Sequence, residues 1–431
     1  MKRDKVIIVG GGWAGLSCAV MLAQHKIPSV VLEAAPKLGG RARSISMHGM
    51  QVDNGQHLFL GAYRNVQKVL STLGVNPDKV FKKEPLAWRI LSKDRVIDIQ
   101  LPNTPAPLHG LFGLMRAKGL SFKDKLSALQ FCYFLFKKIP LDTITVLQLL
   151  EKYSQTPTLI ENLWRPLCLA ALSTPPEDAS AQVFSQVLQE TFFTRNQATD
   201  YWFAKKDLSA ILPNPAMEYL TLHDATVQTS ARVTELIFQD QTCIGVKTAQ
   251  DTYYGRAVVL ATPYWTTSQL LQDVQGGEAI VQQCNLLVSE AISTIYLQYS
   301  PEVQLPHSMT GLIGTQSQWV FDRNFANQPG LIAVVITGAG MHLTKTQSVL
   351  AQEIHQEIQQ FWPQCQHLLN WRVIHEKRAV FRCDLLSQEC RPQGKTSIPG
   401  LFLAGDYCQT PYPATLEGAA TSGLQCAEEI R

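Results

Sequence analysis

The chain has 431 residues, room for two or three domains. Hydrophobic residues make up 45% and charged residues 17%, which excludes a disordered or highly charged chain and leaves ample side chain for a sizeable core. The 38 Lys and Arg against 35 Asp and Glu give a formal net charge of +3, too balanced for nucleic acid as the main partner, so any basic surface is local.

At the N-terminus, Met1-Lys2-Arg3-Asp4-Lys5 runs straight into the apolar Val6–Val9, which glycines then interrupt. No secretory signal can be placed there, and a cytoplasmic location is expected. Val6–Val9 is a β-branched run and predicts a strand; Gly10, Gly12 and Gly15, with Trp13 and Ala14 between them, fit G-x-G-x-x-G and open a helix over 16–25. Missing Cβ atoms at those glycines permit a tight turn and the close approach of a pyrophosphate, and the helix N-terminus offers N–H groups to it. A second strand, Ser29–Leu32, ends at Glu33, placed to take a ribose hydroxyl pair. An acid there suits NAD or the adenosine half of FAD, and this unit alone leaves both open.

Lys37-Leu38-Gly39-Gly40-Arg41-Ala42-Arg43-Ser44 follows directly. It reads either as a guanidinium set beside a diphosphate or as an exposed basic loop. Val52–Arg64 contains Asp53, Gly55, Gln56 and His57, and Trp88–Ile99 predicts a hairpin turning at Lys93-Asp94. From about 105 to 190 the pattern is helical, with apolar faces from Leu111-Phe112, Leu114-Met115, Leu129 and 131–136 interleaved with Lys118, Lys123, Lys125, Lys137 and Lys138. Two readings stand: a bilayer-interface entrance for a lipid, or a soluble helical cap with solvated lysines. The nearest approach to a spanning segment, Leu126–Leu150, contains Lys137, Lys138, Pro140 and Asp142, and no transmembrane helix is predicted.

Further on, Ala231–Leu236 and Ala257–Pro263 read as a hairpin strand and a strand returning to the nucleotide sheet. Ser293–Leu297 and Leu331–Ile336 belong to a second sheet, and Gln347–Phe361 is helical. Leu401–Asp406 is an apolar strand ending in Gly405-Asp406, and Thr415–Gly423 opens a last helix. The ten cysteines include no C-x-x-C pair, so no metal site or redox pair is predicted and the thiols are read as reduced. Trp319, Trp362 and Trp371 are read as packing residues.

Taken in order, these glycine turns and the C-terminal segment resemble the motifs of the FAD-dependent amine oxidase and carotenoid desaturase superfamily. The resemblance implies an α/β fold with an α+β second domain: a Rossmann-like FAD-binding domain from 1–65, 205–265 and 395–431, and a mixed-sheet substrate domain with a helical cap from 66–204 and 266–394. It implies non-covalent FAD with Gly10, Gly12, Trp13, Ala14, Gly15 and Glu33 at the adenosine diphosphate. Gly39, Gly40 and Arg41 then lie beside the diphosphate and Val233 beside the adenine. Gly55, Gln56 and His57 would sit nearer the flavin and Gly405-Asp406 at its ribityl or diphosphate region, with Leu416, Glu417, Gly418 and Ala419 bringing a helix N-terminus to the pyrimidine carbonyls. Cys408 is the one residue to check for covalent attachment, a free thiol being the other reading.

Val52–Arg64, with Pro166–Pro176, Leu208–Ala216 and Pro413–Ala419, is similar to the squalene-associated branch of that superfamily, the hydroxysqualene dehydroxylases. Residues 266–394 carry no matching motif. The resemblance implies loss of an allylic hydroxyl as water and hydride delivery from reduced flavin to a triterpene, with an external electron donor of unidentified chemistry and peripheral contact with the inner face of the cytoplasmic membrane. Leaving water needs an acid, and three residues are candidates: His57, whose ordinary pKa suits proton donation; Asp53, otherwise a turn brace; and Arg165, otherwise a salt-bridged helix residue. Two alternatives stand beside this reading, a carotenoid-type polyene desaturase running hydride towards flavin and an isoprenoid-binding escort without flavin.

Overall fold

The computed structural model describes residues 4–47, 49–102, 104–137, 143–195 and 197–431, so Lys138, Pro140 and Asp142 lie outside the described residues. Val6–Val9 is the central strand of a five-stranded parallel sheet, ordered Thr226–Gln228, Ser29–Leu32, Val6–Val9, Ala257–Leu260 and Leu401–Leu403. Its three inner strands are buried along their whole length, the continuous apolar pattern of a sheet covered on both faces. Val6, Ile8, Val31 and Val259 meet helices Trp13–Gln24 and Leu416–Ile430 on one side. Ile7, Val9, Val30 and Val258 share a core with Cys243 and Val246 of the antiparallel sheet Val233–Gln239, Thr242–Thr248 and Thr252–Tyr254 on the other.

A larger sheet of seven strands runs Asn370–Phe381, Ser289–Gln298, Leu331–Thr337, Trp319–Asp322, Met309–Leu312, Ala87–Leu91 and Val96–Gln100. All neighbours are antiparallel except Met309–Leu312 beside Ala87–Leu91, where the early hairpin joins strands from much later in the chain. Helix Gln347–Phe361 covers one face of this sheet, its Leu350, Ile354 and Ile358 sharing a core with Ile295, Leu297 and Val334. A small sheet of Leu58–Leu60, Tyr201–Ala204 and Phe81–Glu84 ties the two larger ones together.

The described residues between 108 and 192 are predominantly helical. Reciprocal caps start two of these helices: Ser121 with Asp124 at Phe122–Phe136, and Thr145 with Gln148 at Val146–Lys152. One irregularity positions the site described next. Between the pairs Glu290↔Val380 and Ile292↔Glu376, one residue on the inner strand faces three on the edge strand. Such a bulge breaks the ladder and frees backbone groups of 377–379 for partners elsewhere.

Candidate functional site

The carboxyl ends of the parallel strands carry two crossed glycine turns. Gly10 has φ +111°, and a Cβ there would lie 2.4 Å from the Ala261 carbonyl oxygen; at Gly15 it would lie 2.1 Å from the carbonyl oxygen of Gly10. Only glycine fits at either position. Beside Gly12, by contrast, a Cβ would come no closer to other atoms than 3.9 Å, at Gly40 Cα, so its bareness leaves room instead of relieving a clash. Helix Trp13–Gln24 begins there with no side-chain cap and no acid in its first turn. Its uncapped N–H dipoles therefore suit an anion. Glu33 closes the turn at the end of the second strand, Oε2 accepting from the Gly11 N–H and Oε1 from the Ala35 N–H, both at 2.7 Å.

Gly39 (φ +105°) and Gly40 (φ +60°) form the second turn, whose Gly39 N–H donates to the Gly11 carbonyl at 2.8 Å. Trp13 locks the pair together by giving its indole N–H to Ala42 O at 3.1 Å. Arg41 leaves this turn to bond Asp406 Oδ1 at 2.6 Å and Ala379 O at 2.7 Å, the latter a carbonyl that the bulge releases. Burial alone would lower the guanidinium pKa, but Asp406, with Glu376 and Tyr264, carries it above its ordinary value. Arg41 is therefore a fixed cation within a crevice of backbone donors, and these residues fit a dinucleotide diphosphate. Alongside, Tyr264 packs against Tyr407 at 6.1 Å and lines a groove of about 270 Å³ with Trp265, Cys284, Asn285, Leu287 and Arg378.

Residues 53–57 wall this crevice. Asn54 reaches Arg41 O at 3.3 Å and Glu376 Oε2 at 3.2 Å, so the segment lies against the second glycine turn. His57 donates from Nδ1 to Gly55 O at 2.7 Å, leaving Nε2 for a ligand. Burial lowers its pKa and the Arg41 charge adds to that, while the bond to Gly55 opposes them. The imidazole is thus predominantly neutral near pH 7, a weaker standing supply of protons than its ordinary pKa implies.

The other acid candidates are committed elsewhere. Asp53 is fully buried, Oδ1 accepting from the Leu208 N–H at 2.8 Å and Oδ2 lying 3.9 Å from Arg323. Burial pushes its carboxyl up to about 6, against the pull of Arg323 and the Leu208 N–H. Arg165 spends four hydrogen bonds on Glu161 and Glu177, at 2.6–3.1 Å, and pins its helix to the turn that carries Glu177 instead of reaching the glycine turns. Their first hydrogen-bonding duties are structural, because each offers a geometry its partners complete.

The C-terminal segment divides its work in the same way. Gly405 and Asp406 follow the edge strand Leu401–Leu403, and Thr415 caps the last helix by accepting from the Gly418 N–H at 3.1 Å. Leu416 and Ala419 stand in that first turn, but the Glu417 carboxylate is taken by the Asn65 and Val66 N–H groups at 2.9 and 3.0 Å, the start of helix Arg64–Thr72. Its burial raises its pKa, which the two N–H bonds resist. Val233 begins the hairpin strand just beyond Ala231, whose N–H donates to Glu33 O at 2.8 Å. Cys408 is buried and its thiol is pushed up to about 12 by burial, the opposite of an activated thiolate.

Three contributors to this site come from the stretch without a recognisable motif. Arg323, buried at the start of the short 3-10 helix after strand Trp319–Asp322, donates to Gln56 Oε1 at 2.6 Å and to Gln328 Oε1 at 2.9 Å. Glu376 receives Asn54, and Arg391 holds the turn after Asp406. None carries a local signal, since each partner is distant in sequence or lies in an irregular loop.

Comparison with known proteins agrees with this geometry. The profile described as flavin containing amine oxidoreductase matches residues 13–431. The chain is 28% identical over 434 residues to a hydroxysqualene dehydroxylase from Zymomonas mobilis subsp. mobilis, covering 98% of this chain and 97% of that protein. It is 24% identical over 460 residues to a 15-cis-phytoene desaturase of Arabidopsis thaliana, covering 100% of this chain and 80% of that protein. Among solved structures, an oxidoreductase from Methanosarcina mazei superposes with a TM-score of 0.78 at 16% identity, over 98% of this chain and 100% of that one, a likeness of fold. With the profile spanning both glycine-turn helix and C-terminal helix, the chain belongs to the flavin containing amine oxidoreductase family.

Proposed function

We propose that the chain uses reduced FAD, bound non-covalently, to convert hydroxysqualene to squalene. The observation that carries this reading is the likeness to the Zymomonas dehydroxylase along almost the whole of both chains. When bound in its reduced form, FAD supplies the hydride that replaces the hydroxyl on carbon. In the balanced reaction the C–O bond breaks, the oxygen leaves as water after gaining a proton, and an external donor later restores two electrons to the cofactor.

The chain's own residues have separate tasks in this scheme. Gly10, Gly12, Gly15 and the N–H groups at Trp13 and Ala14 hold the diphosphate, Glu33 the adenosine ribose, and Arg41 neutralises charge beside them. Neutral His57 presents Nε2 to orient the substrate hydroxyl, and its protonated form is the candidate proton donor. We assign the cofactor unit to 1–65, 205–265 and 395–431 and substrate binding to 66–204 and 266–394. The decisive experiment is anaerobic: the reduced protein is mixed with hydroxysqualene while the flavin band is followed and the organic extract assayed. Return of the oxidised band with matching squalene supports the proposal. Reduced flavin that persists, together with bleaching of oxidised protein by a more saturated polyene, favours the desaturase reading suggested by the likeness to the Arabidopsis enzyme.

The same reading includes a lipid-facing entrance on the inner face of the cytoplasmic membrane. Phe122 is 82% exposed, Tyr133 60% and Phe136 54% on one helix, beside exposed Leu111, Phe112 and Met115. Lys118, Lys123 and Lys137 surround them in solvent, a composition suited to acyl chains and anionic headgroups. No helix among the described residues is long and apolar enough to cross a membrane. Equal flotation with and without anionic liposomes would remove the membrane contact.

A further inference from the structure

Residues 404–415 join the edge strand to the last helix through Ala404-Gly405-Asp406-Tyr407-Cys408-Gln409-Thr410-Pro411-Tyr412-Pro413-Ala414-Thr415. Two prolines remove N–H donors from a largely buried irregular turn, and buried carbonyls without partners are costly. Arg391 supplies what the turn lacks. Arg391 is 3% exposed, and its guanidinium donates to the carbonyls of Asp406 (3.1 Å), Tyr407 (3.2 Å), Thr410 (3.0 Å) and Tyr412 (2.9 Å), to that of Cys408, and to Thr410 Oγ1 (3.1 Å). Its plane lies 4.9 Å from the Phe381 ring centroid. Among the described residues no carboxylate forms an ion pair with it, so its charge is met by carbonyl dipoles.

Asp406 consequently stands between two guanidiniums, its backbone oxygen on Arg391 and its carboxylate on Arg41. We propose that Arg391 is a positioning residue for the flavin: it templates the 406–412 turn and thereby presents Asp406 to Arg41 at the diphosphate crevice. This rests on the reading that the crevice holds FAD. A lysine keeps the charge at position 391 but has three donors on one nitrogen, and cannot fan them across five carbonyls.

The test combines FAD titration of the apoprotein, the midpoint potential of the bound flavin, and circular dichroism to establish folding. For folded Arg391→Lys, the expected result is FAD binding at least tenfold weaker and an altered midpoint potential, since the turn and not only the charge has moved. In Arg391→Ala, ethylguanidinium restores FAD affinity and potential while ethylammonium does not. Arg391→Ser substitutes for the alanine variant should the latter not fold, since it too leaves the cavity empty, with the same two small cations added. Equal FAD affinity and potential in wild type and Arg391→Lys overturns this inference alone, and so does restoration by ethylammonium as complete as by ethylguanidinium. Wild-type protein that takes up no FAD overturns the cofactor reading and this inference with it.

Discussion

Replacing Asp53 with Asn keeps the shape of the side chain and an oxygen for the Leu208 N–H, 2.8 Å away, but removes its titration. The folded carboxyl is pushed from 3.8 to about 6, chiefly by burial. The folded state therefore holds this proton more tightly than the unfolded chain does. Stability from this group is fully present below pH 3.8 and is lost as pH rises through about 6. At about 1.36 kcal/mol per unit, the loss amounts to roughly 3 kcal/mol. Asn also strips Arg323 of the carboxylate 3.9 Å from it, a penalty that does not vary over this range. The shape of the difference, not its offset, is thus diagnostic. Urea unfolding of both proteins between about pH 4 and pH 8 should show wild-type stability falling relative to Asp53→Asn by an amount on the order of 3 kcal/mol, most of it before neutrality. A flat or rising difference would refute the reasoning, because it would mean that Arg323 outweighs burial and that Asp53 is ionised throughout.

Other substitutions probe the crevice and its surroundings. Gly15→Ala forces a Cβ to within 2.1 Å of the Gly10 backbone oxygen, so a loss of about 1–3 kcal/mol and colourless purified protein are expected; a yellow variant with unchanged thermal unfolding contradicts the glycine-turn geometry. If His57 carries the proton, kcat rises as pH falls, since its lowered pKa leaves the imidazole neutral near pH 7, and His57→Gln flattens that profile. Unchanged turnover and profile in FAD-loaded His57→Gln removes it from the chemistry. Arg165→Met should cost only about 1 kcal/mol, its partners being substantially solvated, and leave kcat unaltered; a large fall in kcat at full flavin occupancy restores Arg165 to the reaction.

The first strand, the glycine turn and Glu33 were legible because they act over neighbouring residues: a β-branched run, a missing Cβ and a strand end are local properties. Helix Gln347–Phe361 was equally plain from its periodicity. What a carboxylate does with its lone pairs is another matter. Asp53 and Glu417 sit in segments that look cofactor-facing, yet their oxygens are taken by N–H groups 155 and about 350 residues away in sequence. Arg323 and Arg391 were invisible for the same reason, since a buried guanidinium is defined by the carbonyls and amides that fold around it and not by its neighbours in the chain. The bulge that frees Ala379 O arises from pairing between strands and has no signature within either.

The strand order of the parallel sheet also sets a timetable for synthesis. Val6–Val9 and Ser29–Leu32 emerge early, but their inner neighbour Ala257–Leu260 and the edge strand Leu401–Leu403 follow much later. Helix Trp13–Gln24 waits longer still for its cover: the last helix packs so closely that a Cβ at Gly423 would meet Ala14 O at 2.2 Å. At elongation rates of about 5–20 residues per second, the nascent N-terminal unit spends roughly half a minute with that apolar surface uncovered. A chaperone has a target throughout this interval, and a transcript cut short before codon 401 yields a chain that cannot assemble its cofactor crevice, however intact its glycine turn.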